Sequence, residues 1–222
     1  MAELNGNPIS LEELQALALT NYGHFTSMQI EDGRVRGLDL HLKRLARDCR
    51  TVFDVELDTK RVLELARRVA PVSGAAVVRV SIFDPALDMG HIGGDAQPQV
   101  LVTTRPAGDL PLPPLRVASV EFTRDLPAVK SVGLFASLHH RRQAQRAGFD
   151  DALFVDRQGL VSEGGTWNVG FIRDDRVIWP AADYLVGTTM ELVKQVHEHV
   201  VLPITLPEMP TFDAASLSVS LG

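Results

Sequence analysis

The sequence has little cysteine and no long apolar run, and each shortage excludes a class of protein. Its single cysteine, Cys49, cannot form an internal disulfide and offers no cysteine set for zinc. No uncharged run approaches the roughly 18 residues that a membrane-spanning helix needs, and the N-terminus lacks a basic, apolar signal pattern. These shortages predict a cytoplasmic protein that has no membrane partner and no metal centre.

Positive charge is also scarce. The 222 residues carry 22 Lys and Arg against 28 Asp and Glu, which gives a net charge of −6. A nucleic-acid partner would require a basic surface that displaces counterions from phosphate, so we expect none. What remains is a chain of 45% hydrophobic and 23% charged residues, which is the composition of a folded protein that buries a core.

Hydrophobic spacing predicts strands and helices along both halves of the chain. In the first half it predicts strands over 22–30, 75–83 and 99–105, a helix over 40–53, and a helix capped by Asp58 that runs to Ala70. In the second half it predicts strands over 115–120, 152–155, 160–162, 169–173 and 177–179, and helices over 138–147 and 189–199. In the helix over 40–53, Cys49 lies on the apolar stripe, and Arg44 is predicted to lie on another face.

A proline-rich segment separates the two halves. Residues 106–114 contain four prolines and too few apolar side chains for a core element. The sequence therefore predicts an N-terminal α/β domain over 1–106, a linker over 107–114, and a C-terminal domain over 115–222.

One of the four lysines stands apart from the others. Lys130 lies in the otherwise uncharged segment 126–134, where an ammonium is poorly solvated and a neutral amine is favoured. A neutral amine is what Schiff-base chemistry requires. The alternative is a lysine at a strand end whose charged tip reaches solvent.

A lone carboxylate precedes two glycines in the second half. Glu163 is followed by Gly164 and Gly165, which would allow the backbone to approach a flat ligand closely. The alternative is that Glu163 ends a hairpin strand and faces water.

A candidate anion site precedes the last predicted helix. Gly187, Thr188 and Thr189 open this helix, where backbone N–H groups and the helix dipole attract negative charge. The alternative is an ordinary helix that begins with a threonine cap.

Taken in order, these residues resemble a known family. The segments that carry the resemblance are 23–33, His41-Leu42-Lys43-Arg44-Leu45, Lys130, 148–156, 159–163, and Leu185-Val186-Gly187-Thr188-Thr189. They are similar to the signatures of the class IV aminotransferases, the pyridoxal-phosphate (PLP) family that includes branched-chain and D-amino-acid aminotransferases and aminodeoxychorismate lyase. The separation of 33 residues between Lys130 and Glu163 suits that family.

The resemblance implies a fold, a cofactor and a set of roles. It implies a two-domain α/β (α+β) fold of fold type IV, with a smaller N-terminal domain, a larger β-rich C-terminal domain, and assembly as a homodimer. Lys130 would bind PLP covalently and move a proton, and Glu163 would pair with the pyridine nitrogen. The expected phosphate contacts are Arg44, Gly187, Thr188, Thr189 and Ser220. Phe25 would lie on the substrate side of the ring or in the core.

Three functions follow from the resemblance. The first is an aminotransferase that moves an amino group between an amino acid and a 2-oxo acid. The second is a lyase of the aminodeoxychorismate type, which releases pyruvate. The third is an inactive family member that serves as a binding module, because family members run on beyond the position of Gly222 and the C-terminal domain is expected to be shortened.

Overall fold

The computed structural model describes residues 2–108 and 113–219, which form two compact units. The first unit contains residues 2–108 together with Val129–Gly133, and the second contains residues 113–128 and 134–219. The domain limits predicted from the sequence did not anticipate that Val129–Gly133, which carries Lys130, groups with the first unit.

The first unit is an antiparallel six-stranded sheet with three helices. Its strands are β1 (Ala2–Leu4), β2 (Asn7–Pro8), β3 (His24–Glu31), β4 (Arg34–Val35), β5 (Ala75–Phe83) and β6 (Gln99–Pro106), in the spatial order β2-β1-β6-β5-β3-β4. Its helices are α1 (Leu11–Thr20), α2 (Leu38–Phe53) and α3 (Thr59–Val69).

Helices α2 and α3 cover one face of this sheet and form its main core. Leu45 and Cys49 of α2 and Val62 of α3 are fully buried, and they pack in one cluster with Val78 and Val80 of the central strand β5. Burial of Cys49 confirms its predicted place on the apolar stripe. The predicted N-cap Asp58 is also confirmed, because its side chain accepts from the backbone N–H groups of the first turn of α3.

Helix α1 was not predicted from hydrophobic spacing. It has no buried residue, so it lacks the apolar stripe that the prediction relied on. Its N-terminus nevertheless carries a capping box, in which Ser10 accepts from the Glu13 backbone N–H and Glu13 accepts from the Ser10 N–H. The spacing of Ser10 and Glu13 was therefore the signal that could have located this helix.

The second unit is a seven-stranded mixed sheet with two helices. Its strands are β7 (Val117–Glu121), β8 (Asp151–Val155), β9 (Val161–Gly164), β10 (Trp167–Arg173), β11 (Arg176–Pro180), β12 (His199–Leu202) and β13 (Ala214–Val219). Its helices are α4 (Phe135–Arg146) and α5 (Thr188–Val196), and a 3₁₀ turn spans Leu206–Thr211. The order is β12-β11-β10-β9-β8-β7, and β13 also pairs with β10.

The predicted end of the last helix is wrong. Helix α5 ends at Val196, not at His199, and the chain then forms β12, which runs parallel to β11. The β-branched residues Val200 and Val201 favour this extended conformation, and their backbone pairs with Ile178 and Trp179.

The mixed α/β fold class predicted from the sequence is confirmed. Each unit combines one sheet with helices, as the resemblance implied. Among the helices of the described residues, none has both the length and the apolar composition that a bilayer crossing requires.

Candidate functional site

In the first unit, hydrogen bonds fix the backbone of Lys130, and its amine lies against an aromatic ring. Its backbone carbonyl accepts from the Phe25 N–H at 2.9 Å, and its amide N–H donates to Asp48 Oδ2 at 2.9 Å. The amine Nζ lies 4.9 Å from the centroid of the Phe25 ring, and the guanidinium of Arg79 lies 3.6 Å from the same centroid. Phe25 is buried, so its ring offers the Lys130 amine a fixed aromatic surface.

Arg44 is part of a buried polar cluster with Thr26 and His41. Arg44 Nη2 donates to Thr26 Oγ1 at 2.6 Å, and that hydroxyl lies 2.7 Å from His41 Nδ1. Because arginine only donates, Thr26 accepts from Arg44 and donates to His41, which places the imidazole proton on Nε2. The predicted location of Arg44 on a different face of α2 is wrong, because Arg44 shares the buried face with His41 and is 5% exposed.

The pKa values of His41 and Arg44 are consistent with a hydrogen bond from Thr26 to a neutral His41. Burial, followed by the nearby charges of Arg44 and Lys130, lowers the pKa of His41 to about 3. Burial also lowers the pKa of Arg44 to about 10, against the opposing effect of Asp48. At neutral pH the cluster therefore contains a neutral imidazole and a guanidinium cation, which can bind an anion.

In the second unit, Glu163 is buried and paired with an arginine. Glu163 is 3% exposed in strand β9, so the alternative in which it faces water is wrong. Arg124 Nε donates to Glu163 Oε1 at 2.6 Å, and the side chains of Arg124 and Glu163 are 14% and 5% exposed. The pair provides a fixed carboxylate, which suits a protonated ring nitrogen of a ligand.

The two glycines after Glu163 accommodate the protein's own side chains. A Cβ on Gly164 would collide with the indole ring of Trp167, and a Cβ on Gly165 would lie 2.8 Å from Asp151 Oδ1. Contact with Trp167 and Asp151 therefore accounts for both glycines, and close approach of their backbone to a flat ligand stays a prediction.

Asn168 fixes the turn before helix α5. It pairs with Glu163 across strands β9 and β10, its Nδ2 donates to Leu185 O at 2.7 Å, and its Oδ1 accepts from Gly187 N at 3.0 Å. A Cβ on Gly187 would collide with Asn168 Oδ1, so the close approach requires glycine. The same asparagine thus connects the strand of Glu163 to the predicted anion site.

Thr188 and Thr189 are the first two residues of α5. Thr188 is buried, Thr189 is half-buried, and the N-cap Gly187 has no side chain that could cap the helix. The first turn therefore presents backbone N–H groups at the positive end of the helix dipole. Ser220, the remaining predicted phosphate contact, lies outside the described residues.

Comparison with known families identifies the chain. The sequence profile described as amino-transferase class IV matches residues 23–222. The chain belongs to the class IV aminotransferase family. This match includes every site residue that the resemblance assigned.

Curated relatives of this family member are named as branched-chain aminotransferases. A branched-chain-amino-acid aminotransferase-like protein of Arabidopsis thaliana is 35% identical over 88 residues, which is 36% of this chain but 15% of that protein. A putative branched-chain-amino-acid aminotransferase of Methanocaldococcus jannaschii is 26% identical over 216 residues, which is 86% of this chain and 72% of that protein. The first match thus spans less than two thirds of the relative's own length.

Solved structures share the fold of this class IV chain. A branched-chain aminotransferase of Thermoproteus uzoniensis with norvaline has a TM-score of 0.82 at 21% identity, covering 99% of this chain and 83% of that one. A hypothetical aminotransferase of Mycobacterium tuberculosis in its PLP-bound form has a TM-score of 0.77 at 21% identity, covering 100% of this chain and 87% of that one. At these identities the likeness concerns the fold.

Several polar residues that hold the candidate residues of each unit were not assigned roles from the sequence. Thr26 and Asn168 lie within or beside the segments that carry the resemblance, but their hydrogen bonds depend on neighbouring strands. Arg124 is 39 residues from its partner Glu163, and Asp48 is 82 residues from Lys130. The available signal for Asp48 was its spacing, because a carboxylate four residues after Arg44 lies on the same helix face.

Proposed function

We propose that this chain is a PLP-dependent aminotransferase that moves an amino group between an amino acid and a 2-oxo acid. The observation that carries the proposal is Lys130. It is the lysine that the family resemblance assigns to the cofactor, its backbone is held on both sides, and its amine lies against the buried Phe25 ring. The family match over residues 23–222 supports the same activity.

The chemistry of the donor set fits PLP. The cofactor has an aldehyde, a ring nitrogen and a phosphate, and the chain offers a lysine amine, a buried carboxylate and a buried guanidinium. The glycine cradle before α5, into which a Cβ cannot be built without striking Asn168, offers backbone donors for a phosphate. When bound, PLP supplies an electron sink that stabilises negative charge at the substrate Cα.

Lys130 is proposed to bind the cofactor covalently and to move a proton. Its amine would form a bond to the aldehyde carbon with loss of one water. The Lys130 amine would also take up and return the proton at the substrate Cα. Phe25 supports both steps by restricting where the amine can lie.

Glu163 is proposed to hold a proton on the ring nitrogen. Arg124 compensates the charge of the buried carboxylate, so Glu163 can present a fixed negative charge to that proton. Asn168 would keep the distance between Glu163 and the first turn of α5 constant, because its strand pairs with the strand of Glu163 and its side chain accepts from Gly187 N.

Arg44 is proposed to bind the phosphate together with Gly187, Thr188 and Thr189. Thr26 orients the Arg44 guanidinium by accepting a hydrogen bond from it, and the neutral His41 accepts from Thr26 without adding a competing charge. We propose Ser220 as a further phosphate contact on the family resemblance alone.

Transamination is favoured over the lyase reaction by the names of the relatives. The matching curated proteins are branched-chain aminotransferases or proteins similar to them. We therefore propose a branched-chain amino acid as the donor and 2-oxoglutarate as the first acceptor to test. We also propose a cytoplasmic homodimer, for which the exposed leucines of helix α1 offer an apolar contact surface.

The test compares Lys130 with a surface lysine. Wild type, Lys130→Gln and Lys43→Gln are incubated with PLP, reduced with borohydride and mapped by mass spectrometry, and leucine-dependent formation of glutamate is measured in parallel. Lys43 is a suitable control because its side chain is 75% exposed and pairs only weakly with Asp39. We expect cofactor mass on the Lys130 peptide of wild type and Lys43→Gln, and a loss of at least about 100-fold in activity for Lys130→Gln.

Other outcomes decide between the alternatives. Absence of cofactor mass on Lys130 in wild type would favour the binding module. Release of pyruvate from aminodeoxychorismate without an acceptor would favour the lyase.

A further inference from the structure

A fully buried carboxylate holds the backbone of Lys130. Asp48 is 0% exposed, and its Oδ2 accepts the Lys130 amide N–H at 2.9 Å. The carbonyl of Lys130 is bonded to the Phe25 N–H, and the next residue, Ser131, forms a β-bridge with His24. Residue 130 is therefore fixed through both of its backbone polar groups.

The charge of Asp48 is compensated by its neighbour in α2. Arg47 donates to Asp48 Oδ1 from Nε at 3.0 Å and from Nη2 at 2.7 Å. Burying a carboxylate is costly unless it is paired and hydrogen-bonded, and Arg47 provides that pairing. The second oxygen of Asp48 then makes a charge-assisted bond to the Lys130 amide, which is stronger than a bond between neutral groups.

Helix α2 carries both Asp48 and Arg44. Residues four apart lie on the same face of a helix, about 6 Å apart along its axis. Arg44 and Asp48 are both buried on that face, and the charge of Asp48 opposes the lowering of the pKa of Arg44. One rigid turn of helix thus sets the distance between the Arg44 guanidinium and the backbone of Lys130.

We propose that Asp48 is a positioning residue for the cofactor-binding lysine, and that it couples Lys130 to Arg44 through helix α2. The inference rests on the proposed function, in which Lys130 binds the aldehyde end of PLP and Arg44 binds the phosphate end. Because one small molecule must reach both groups, a fixed distance between them speeds its covalent attachment. Asp48 touches no reacting atom and acts through the Lys130 amide.

The same unit offers a matched control. Asp84 is also buried, at 5% exposure, and its two oxygens accept from the backbone amides of Ala86 at 2.8 Å and Gln97 at 2.6 Å. Asp84→Asn therefore removes the same charge from a buried carboxylate that also accepts from backbone amides, in the loop after β5 and not in helix α2. Any general loss of stability should affect Asp84→Asn and Asp48→Asn alike.

Asp48→Asn weakens the coupling at nearly constant side-chain volume. Whichever way the new amide is turned, its NH₂ group faces a donor, either Arg47 or the Lys130 amide. In cofactor-free protein, we expect deuterium exchange of the Lys130 amide to become about 10-fold faster or more.

The decisive readout is the preference for a phosphorylated aldehyde. The rate of covalent attachment at Lys130 is measured with PLP and with pyridoxal, which lacks the phosphate, by borohydride fixation and peptide mapping. We expect Asp48→Asn to slow attachment of PLP about 10-fold or more and to reduce the PLP-to-pyridoxal rate ratio, because the phosphate contact no longer aligns the amine. A merely structural defect would slow both aldehydes equally, and Asp84→Asn should keep the wild-type ratio.

The outcomes separate the two proposals. If wild type attaches PLP at Lys130 and Asp48→Asn has the wild-type rate and ratio, the positioning role is wrong and the function stands. If wild type attaches no PLP at Lys130, the proposed function and the positioning role both fail. If Asp48→Asn does not fold, Arg47→Met is used instead, because it keeps the Asp48 carboxylate but removes its 46%-exposed partner. The positioning role then requires that Arg47→Met also reduces the PLP-to-pyridoxal rate ratio, by a smaller amount.

Discussion

At the residue scale, the ion pair of Arg124 and Glu163 determines how much stability the second unit loses when either residue is replaced. Both side chains are largely buried and their atoms approach to 2.6 Å. Removing one partner of such a pair leaves the other charge without compensation, which costs about 3–5 kcal/mol, whereas replacing both by neutral groups is often tolerated. The pair therefore allows a role in stability to be separated from a role in turnover.

We predict that Glu163→Gln lowers the turnover number by about 100-fold or more, because a neutral amide cannot hold the proton on the ring nitrogen. The same substitution should lower the free energy of unfolding of the second unit by about 3 kcal/mol. Tryptophan fluorescence during urea unfolding reports on that unit, since Trp167 and Trp179 both lie in it.

The double variant Arg124→Met/Glu163→Gln provides the internal comparison. It should regain most of the lost stability but none of the turnover. Glu198→Gln is the surface control, because Glu198 is 83% exposed. Recovery of turnover in the double variant would show that Glu163 acts only through stability.

Residue-level roles could be predicted where a single side chain is unusual in its sequence context. Lys130 stands in an uncharged segment and Glu163 before two glycines, and these patterns are visible without a fold. Asp48 and Arg124 could not be assigned because their partners are 82 and 39 residues away. Only the pairing of distant elements brings such donors and acceptors together.

At the element scale, the beginning of α5 depends on contact between a glycine and an asparagine side chain. Gly187 has ordinary extended backbone angles, so alanine would cause no backbone strain there. The obstacle is steric, because a Cβ would collide with the oxygen of Asn168 that accepts from Gly187 N.

We predict that Gly187→Ala displaces the Asn168 side chain and lowers the affinity for PLP by about 10-fold, with little effect on pyridoxal. The reason is that the displaced turn misaligns the backbone N–H groups meant for the phosphate. Equilibrium dialysis with both aldehydes measures the effect. Gly93→Ala is the control, since a Cβ on Gly93 meets no atom within 4 Å, and equal loss for both aldehydes would contradict the phosphate role.

Element boundaries were predictable where caps and periodicity agree. The strand over 75–83 and the Asp58 cap of α3 were found in place. The end of α5 was predicted three residues late, because the signal for β12 is its parallel pairing with β11 and not a local breaker.

At the scale of the whole molecule, two buried histidines make stability depend on pH. Burial, and then the charge of Arg47, lowers the pKa of His24 to about 3, and burial lowers that of His41 to the same value. His24 has no hydrogen-bond partner for either ring nitrogen among the described residues. The ordinary histidine pKa is 6.5. Below that pH, the unfolded chain therefore binds protons that the folded chain does not bind.

We predict that the first unit loses stability as the pH falls below about 6.5, by up to about 1.4 kcal/mol per pH unit for each histidine. Far-ultraviolet circular dichroism during urea unfolding at several pH values measures the slope. His24→Leu should make the slope shallower, because one of the two groups no longer titrates. His91→Gln, a change at an 85%-exposed ring, should leave it unaltered, and an unchanged slope in His24→Leu would contradict the prediction.

The path of the chain through the first unit has a consequence for biosynthesis. When residues 2–108 have left the ribosome during translation, every described strand and helix of this unit has been synthesised. The Lys130 N–H that donates to Asp48 Oδ2 has not. That donor emerges about twenty residues later with Val129–Gly133, after a proline-rich stretch. Until then Asp48 Oδ2 lacks its protein donor, so the hydrogen bonding of the first unit is completed only after the lysine segment has been translated.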